Sequence, residues 1–222
     1  MNQKKNVLFI GNSYTNQISK VLLELLEISD FKGSEFKFIT SGGATLDQHL
    51  KEEDTIETLQ KYAWDVVVLQ EQSQLPSLEG KYKKMFHDAV DRFGEIIAST
   101  KAEAMLYMTW GHKNGDAENS EISPDYPTMQ TRLSENYRDA AKRCKMKCIE
   151  VGNVWSKVRE SNKDLGERLY QGDGSHPSSH GAILAASVVF NQLTGDALDR
   201  VDFYDRCTAE DWLIIKKAIL EC

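Results

Sequence analysis

Short apolar segments recur along the chain and alternate with longer stretches of helical periodicity. The clearest is Asp65–Leu69 (Asp-Val-Val-Val-Leu), and Val7–Gly11 has the same character. Strands that are apolar at nearly every position are buried on both faces, which is typical of a parallel sheet covered by helices on each side. The chain is therefore predicted to be an α/β protein with a five-stranded parallel sheet. The other three strands are predicted at Phe36–Thr40, Ala104–Thr109 and Met146–Val151.

Amphipathic stretches between these segments predict the helices. In Ile18–Ile28, for example, apolar residues recur every three or four positions. The remaining helices are predicted at Leu46–Tyr62, Lys81–Ser99, Met129–Cys144, His180–Leu193 and Ala209–Ile219. The composition does not change abruptly along residues 1–222, so a single domain is predicted.

The charge balance argues against some classes of partner. The sequence has 27 Lys and Arg against 34 Asp and Glu, a net charge of −7. Without a basic stripe, neither nucleic acid nor a membrane surface is an expected partner. The first strand begins by Val7, which leaves no room for a signal peptide. A cytoplasmic protein is expected, or an exported one whose leader has been removed.

The four cysteines are Cys144, Cys148, Cys207 and Cys222. Their spacing contains no paired CxxC set, so no zinc site is predicted. Free thiols in a reducing compartment are expected, and a disulfide involving Cys144 and Cys148 is the alternative.

The segment Gly11-Asn12-Ser13 directly follows the first predicted strand. Parallel sheets place their functional groups at the carboxyl ends of strands, and Gly11 permits a sharp turn there. Ser13 is therefore a candidate nucleophile, with a helix N-cap as the structural alternative. The segment lacks the G-x-S-x-G pattern of the α/β-hydrolases and the G-x-G-x-x-G pattern of dinucleotide sites.

A second polar segment, Asp173-Gly174-Ser175-His176-Pro177, precedes the predicted helix at His180. Its composition is also that of an ordinary turn. Asp173 is placed to accept the Nδ1 proton of His176, which leaves Nε2 free to deprotonate Ser13. Histidine has an ordinary pKa of about 6.5, so it is mostly neutral at pH 7 and able to act as a base. Ser13, His176 and Asp173 are predicted to be the catalytic residues.

These motifs resemble those of the SGNH hydrolases, the GDSL-like esterase superfamily. Gly11-Asn12-Ser13 resembles the first block, with Asn12 where an aspartate often stands, and Asp173 with His176 resembles the last. The resemblance extends from Val7 to about Leu193. It implies a flavodoxin-like three-layer α/β/α sandwich, no metal or other cofactor, and hydrolysis of esters, often of acetyl groups on carbohydrates.

The resemblance also implies an oxyanion hole. Its second block is a glycine after the second strand, here Gly42 or Gly43, and the backbone N–H groups of Ser13 and Gly43 are the expected donors. The usual third block, Gly-x-Asn-Asp, is replaced by Gln70-Glu71-Gln72-Ser73. Gln72 then stands in place of the asparagine and Ser73 in place of the aspartate. A glutamine amide can donate to the oxyanion, although its side chain is one methylene longer. Loop capping is the alternative for this segment.

Residues beside these blocks are predicted as further substrate contacts: Asn12, Gly42, Gln70, Glu71, Ser73 and Trp110. Trp110 either lines a sugar-sized cleft or packs within its wall, and Glu71 either contacts substrate or is a solvated loop acid. His49, His87 and His112 are predicted to be surface or helix histidines. The polar stretch His112–Pro127 is predicted to be a long loop over the site.

The sequence therefore predicts a serine esterase that hydrolyses carboxylic esters, in particular acetyl esters. The expected partner is a small-molecule or carbohydrate ester, and the oligomeric state is left open. Two alternatives remain. One is a carbohydrate-binding protein of the same fold without activity, suggested by the altered third block. The other is an O-acyltransferase that uses the same residues.

Overall fold

Five parallel strands form a central sheet in the part of the chain that the structure describes. The computed structural model describes residues 4–29, 31–195, 198, 201, 203 and 205–222. The strand order is β2-β1-β3-β4-β5, the order of flavodoxin-like folds, and the predicted α/β class is confirmed. The strands are β1 (Asn6–Gly11), β2 (Glu35–Thr40), β3 (Val66–Leu69), β4 (Glu103–Tyr107) and β5 (Lys147–Ile149).

Helices connect the strands and cover both faces of the sheet. In the described residues they are α1 (Ser13–Ile28), α2 (Leu46–His49), α3 (Glu53–Lys61), α4 (Gly80–Ala98), α5 (Tyr126–Cys144), α6 (Val151–Ser161), α7 (Lys163–Arg168), α8 (Ser179–Thr194) and α9 (Ala209–Leu220). The predicted long loop after β4 contains one 3₁₀ turn, Ala117–Asn119, before α5 begins.

Alternate side chains of β1 lie in two separate apolar cores. Val7 and Phe9 pack with residues of α1 and α8, whereas Leu8 and Ile10 pack with residues of α4 and α5. All four side chains are fully buried. Burying an apolar side chain of this size stabilises the fold by about 1.5–3 kcal/mol. The apolar strand is therefore held between two helical layers, and its carboxyl end is fixed where Ser13 begins α1.

The predicted helix Leu46–Tyr62 is wrong as a single element, because the chain forms α2 and α3 there. The Thr45 side chain accepts from the Gln48 backbone, and the Gln48 side chain accepts from the Thr45 backbone, which starts α2 with a capping box. The second helix begins separately after Glu52, whose backbone is extended with φ −86° and ψ 109°. The helical periodicity runs through both helices and does not reveal this break.

The region after β5 also differs from its predicted structure. The strand was predicted to run to Val151, but it ends at Ile149, and Val151 begins α6. Buried apolar residues of α6 recur at helical spacing, at Val151, Val154, Trp155 and Val158, and the short helix α7 follows. The apolar residues of β5 and α6 are nearly continuous in sequence, so the apolar pattern alone does not mark where the strand ends and the helix begins.

The four cysteines are free thiols in the structure, so no disulfide joins Cys144 to Cys148. Burial raises the pKa of Cys144 to about 11, which keeps that thiol protonated at neutral pH. None of the helices in the described part of the chain combines the length and apolar character needed to cross a lipid bilayer.

Candidate active site

The candidate nucleophile, Ser13, is the first residue of α1 and follows β1 at its carboxyl end. The turn requires glycine at position 11, because a Cβ there would lie 2.6 Å from both Gln70 Oε1 and Thr15 Oγ1. Asn12 is the N-cap, and its Oδ1 accepts from the Tyr14 backbone N–H at 3.1 Å. Asn12 is 2% exposed and its Nδ2 donates to Ala44 O. The Asn12 side chain therefore joins two loops. Because only 2% of Asn12 is exposed, little of its surface is left for the predicted contact with substrate.

The loop before α8 brings Asp173 and His176 to Ser13. Asp173 Oδ1 accepts from the backbone N–H groups of Ser175 at 2.9 Å and His176 at 3.0 Å. Its Oδ2 lies 2.6 Å from His176 Nδ1, and His176 Nε2 lies 2.9 Å from Ser13 Oγ. Gly174 turns the chain with φ +70°, a conformation that favours glycine. The three predicted catalytic side chains thus form one hydrogen-bonded chain.

The charge on Asp173 fixes the direction of the protons in this chain. Burial disfavours its ionised form, but hydrogen bonds from the Ser175 and His176 backbones and from the His176 ring bring the pKa of Asp173 below its ordinary value of 3.8. An ionised Asp173 can only accept, so His176 Nδ1 carries the proton and Nε2 is the acceptor for the Ser13 hydroxyl. This is the proton arrangement that a histidine base needs.

Two buried aromatic residues donate hydrogen bonds to the loop that carries Asp173 and His176. Tyr14 OH and Trp110 Nε1 both donate to Ser175 O, at 2.9 and 3.0 Å. Trp110 also stacks on Tyr14 and on Trp155, with ring centroids 4.6 and 4.1 Å apart. Because Trp110 is fully buried, it does not line a sugar-sized cleft, and the alternative of packing within the wall is the one that the structure supports. It supports the loop that carries His176.

Three candidate donors belong to residues that line the cavity next to Ser13: the backbone N–H groups of Ser13 and Gly43 and the side-chain amide of Gln72. Among the described residues, no acceptor is bonded to the backbone N–H of Ser13 or of Gly43. Gln72 Oε1 accepts from the backbone N–H groups of Gln74 and Leu75 at 2.8 and 3.0 Å, which assigns the other end of the amide as the donor Nε2. This Nε2 donates to Gln74 Oε1 at 2.9 Å, and an amide nitrogen carries a second hydrogen.

The cavity around these groups has a volume of about 220 Å³. Its lining residues are Asn12, Ser13, Tyr14, Gly43, Gln72, Ser73, Gln74, His112, Ser175 and His176. Gly42 is not among them. It lines a neighbouring depression of about 490 Å³, which also includes Gly43. Of the two glycines that the sequence offered for the second block, Gly43 is the one beside Ser13.

Gln70 joins β3 to the nucleophile loop. Its Oε1 accepts from Asn12 N at 3.0 Å and from Thr15 Oγ1 at 2.8 Å, and its Nε2 donates to Asn12 Oδ1 at 3.0 Å. Gln70 is 1% exposed and does not line the cavity. The predicted substrate contact of Gln70 is therefore wrong, because all of this bonding is internal.

Glu71 is likewise internal. It is fully buried, and its Oε1 accepts from Leu46 N at 3.0 Å and from Gln72 N at 2.7 Å. Glu71 is neither a substrate contact nor a solvated loop acid, and its two bonds to backbone N–H groups agree with the loop-capping alternative for this segment. A carboxylate directly after a strand gives no local sign of burial.

The pKa of Glu71 predicts that native stability falls as pH rises. Burial raises this pKa from 4.5 to about 7, against the opposing effect of hydrogen bonds from Gln72 and Leu46. Between these values the folded chain retains a proton that the unfolded chain has lost, so the free energy of unfolding decreases with pH, by ~3 kcal/mol at most. In Glu71→Gln this decrease should be absent.

Urea unfolding of wild type and Glu71→Gln at pH 5 and pH 8 measures the effect. Glu53→Gln, at an exposed position in the first turn of α3, is the matched control and should retain the wild-type pH dependence. The prediction would be contradicted if the free energy of unfolding changed between pH 5 and pH 8 by the same amount in wild type and in Glu71→Gln.

His112 is a cavity residue that the sequence did not single out. Its Nε2 lies 3.1 Å from both Ser73 Oγ and Ser175 Oγ, and it was expected to be a surface or helix histidine. Burial lowers its pKa, so the ring is neutral at pH 7. The predicted contact Ser73 does line the cavity. No local pattern marks His112, because it lies in a polar loop whose path depends on the whole fold.

Possible metal ligands lie elsewhere. In the described part of the chain, His180, Cys207 and Asp211 are the group of three side chains close enough to share an ion. The Asp211 carboxylate is held by Arg168 through two hydrogen bonds of 2.9 and 2.7 Å. None of the three lines the cavity around Ser13. The carboxylate is already balanced by a guanidinium, so this group does not fit a metal.

Comparison with known proteins points to one fold family. No protein-family model matches the sequence, and no curated protein matches it. Among solved structures, a candidate SGNH hydrolase from Slackia heliotrinireducens is 29% identical. That alignment covers 86% of this chain and 100% of the other, with a TM-score of 0.71.

Two further structures are similar at lower identity. A DUF4886 family protein from Bacteroides uniformis is 19% identical over 99% of this chain and 94% of the other, with a TM-score of 0.79. An acetyl xylan esterase is 16% identical over 85% and 99%, with a TM-score of 0.68. The chain therefore has the fold of the SGNH hydrolases, and the resemblance predicted from its motifs is confirmed.

Proposed function

We propose that this chain, with the fold of the SGNH hydrolases, is a serine esterase that hydrolyses short-chain carboxylic esters, in particular acetyl esters. One observation carries the proposal: Ser13 Oγ lies 2.9 Å from His176 Nε2, and His176 Nδ1 lies 2.6 Å from an ionised Asp173. A hydroxyl, a base and a carboxylate in this order are what nucleophilic acyl transfer requires. The likeness to SGNH hydrolases and esterases supports the general class.

In the proposed reaction, Ser13 Oγ attacks the ester carbonyl carbon while His176 Nε2 takes the hydroxyl proton. Asp173 stabilises the imidazolium that forms. His176 then gives this proton to the leaving alkoxide, and an acyl group remains on Ser13. Water attacks the acyl-enzyme with His176 again as base, which releases the carboxylic acid and restores the Ser13 hydroxyl.

The oxyanion of each tetrahedral intermediate is bound, in this proposal, by the N–H groups of Ser13 and Gly43 and by Gln72 Nε2. Ser13 N–H also lies at the positive end of the α1 dipole. Loss of one donor of this kind typically costs about 3 kcal/mol, or 10²–10³ in kcat. The orientation of the Gln72 amide supports a donor role for the residue that replaces the usual asparagine.

The size of the cavity predicts selectivity for short acyl groups. Its volume of about 220 Å³ is below the roughly 300–1,000 Å³ typical of pockets for larger ligands. We expect kcat/KM for p-nitrophenyl octanoate to be at least ~10-fold lower than for the acetate, because the longer chain remains outside the cavity. Steady-state rates with acetate, butyrate and octanoate esters measure this. Equal or rising values with chain length would contradict the predicted selectivity and leave the esterase assignment standing.

The proposed function is tested by a burst assay and by active-site labelling. A burst of p-nitrophenol from p-nitrophenyl acetate, one equivalent per chain, is expected when the acyl-enzyme accumulates. A fluorophosphonate should label Ser13 stoichiometrically. Acetylated sugars, assayed in parallel for acetate release, test whether the alcohol portion is a carbohydrate, as in the acetyl xylan esterase of the same fold.

Two alternatives remain: an inactive carbohydrate-binding protein, which the altered third block Gln70-Glu71-Gln72-Ser73 motivates, and an O-acyltransferase that uses the same residues. A carbohydrate-binding protein without activity would bind glycans in calorimetry, with no turnover and no labelling of Ser13. An O-acyltransferase would form labelled acyl-enzyme but transfer the acyl group to a sugar hydroxyl in preference to water. Product analysis with an acetylated donor and a sugar acceptor separates the transferase from the esterase.

A further inference from the structure

Glu71 carries a buried carboxyl group that has no basic partner among the described residues. It has no exposed surface, and its Oε2 is buried without a hydrogen-bond partner in that part of the chain. The titratable groups that interact with it electrostatically there are Asp47 and Tyr137, and neither is a cation. Burying an unpaired carboxyl group is costly. Its position must therefore be explained by what its other oxygen does.

That other oxygen, Oε1, joins two loops. It accepts from Leu46 N, the first residue of α2, at 3.0 Å and from Gln72 N at 2.7 Å. The loop that ends at Leu46 carries Gly43, and both Gly43 and Gln72 line the cavity next to Ser13. Among the described residues, no other hydrogen bond joins residues 41–46 to residues 70–74. One carboxyl oxygen thus links directly the two segments that carry two of the three proposed oxyanion donors.

We propose that Glu71 is a positioning residue of the oxyanion hole, which holds the Gly43 loop and Gln72 in register through Oε1. This inference rests on the proposed function. Oxyanion donors act only when they are held about 2.7–3.1 Å from the developing charge. Without this acceptor, the N–H groups of Leu46 and Gln72 are left unpaired, and the two loops no longer bond to the same oxygen.

The role requires an acceptor oxygen at one place and does not require a negative charge. Glu71→Gln keeps an oxygen at that distance without the charge. Glu71→Asp keeps the charge but draws the carboxylate back by one methylene. Glu71→Ala removes the acceptor. A role in positioning therefore ranks kcat as Gln above Asp above Ala, whereas an electrostatic role of the charge ranks Asp above Gln.

The test uses the full chain and p-nitrophenyl acetate. We expect Glu71→Gln to keep kcat within about threefold, and Glu71→Ala to lose ~10–100-fold in kcat with KM changed less than threefold, because the donors bind the transition state and not the ester. Asn136→Ala is the matched structural control. Asn136 is 6% exposed, and its Nδ2 donates to Pro76 O and Arg132 O, away from the cavity. It should lower the melting temperature while kcat stays within about threefold.

The outcomes separate this inference from the proposed function. A Glu71→Ala variant with wild-type kcat, an Asp variant more active than the Gln variant, or an equal loss of kcat in Asn136→Ala would each overturn the positioning role and leave the esterase standing. A wild-type chain that hydrolyses no ester overturns the proposed function, and the positioning role with it. If Glu71→Ala does not fold, the order of the Gln and Asp variants decides the question.

Discussion

Replacing Ser13 by alanine is expected to lower kcat for p-nitrophenyl acetate by about 10⁴-fold or more, because the attacking oxygen is removed. The residual rate should come from the oxyanion donors and from substrate binding, since the backbone N–H of residue 13 and the Gly43 N–H are retained. The side chain is only partly buried, so the melting temperature should change little. Initial rates, corrected for spontaneous hydrolysis, measure the loss.

Ser73→Ala is the matched control for this experiment. Ser73 lines the same cavity, but its hydroxyl is within hydrogen-bond distance of His112 Nε2, at 3.1 Å, and is not hydrogen-bonded to His176. The variant should retain activity within ~10-fold and should still be labelled by a fluorophosphonate, whereas Ser13→Ala should not. If labelling persisted in Ser13→Ala and disappeared in Ser73→Ala, the nucleophile would be Ser73, and the assignment of Ser13 would be wrong.

The segment Gln70-Glu71-Gln72-Ser73 shows why the altered block is compatible with an organised site. Each of its four side chains contacts a different part of the chain. Gln70 bonds to the loop after β1, Glu71 to the first residue of α2, and Gln72 to the turn that follows the segment. Ser73 bonds to His112 in the loop after β4. Four consecutive residues at the end of the central strand β3 therefore connect the loops that surround Ser13.

Sequence alone was sufficient where the signal is local. The apolar runs of β1 and β3 give the strands, since nothing but burial on both faces explains Val66–Leu69. Asp173 lies three residues before His176, and this spacing lets one loop carry both side chains, as the contacts of Asp173 with the loop backbone and the ring illustrate. The distance from His176 to Ser13 depends on the parallel sheet, and the sheet was predictable from the same apolar runs.

Sequence was not sufficient where tertiary contacts decide the environment of a polar residue. Gln70 and Glu71 look like loop residues after a strand, yet both are buried because the loops after β1 and β2 cover them. The sequence leaves open whether Trp110 lines a cleft or packs in its wall. In the structure its ring is stacked between Tyr14 and Trp155, so it packs in the wall. His112 has a neighbour from each of two distant segments, so no window of sequence around it predicts its position in the cavity.

Replacing His176 by alanine is expected to lower kcat by about 10⁴-fold, because no group is left to take the Ser13 proton. A substitution at Asp173 would also disturb the loop, because its carboxylate accepts from two backbone N–H groups there. The substitution at His176 leaves those two hydrogen bonds in place. His112→Ala is the matched control, because that ring lines the same cavity but bonds to Ser73 and Ser175. It should lose far less activity.

Chemical rescue then tests the role of the His176 ring itself. Imidazole added to His176→Ala should restore part of the rate, since the vacated space adjoins Ser13 Oγ and Asp173 Oδ2 remains to orient the added base. Imidazole should not rescue Ser13→Ala, which lacks the group that the base activates. A rate of His176→Ala that imidazole does not raise would contradict the role of the ring as the base.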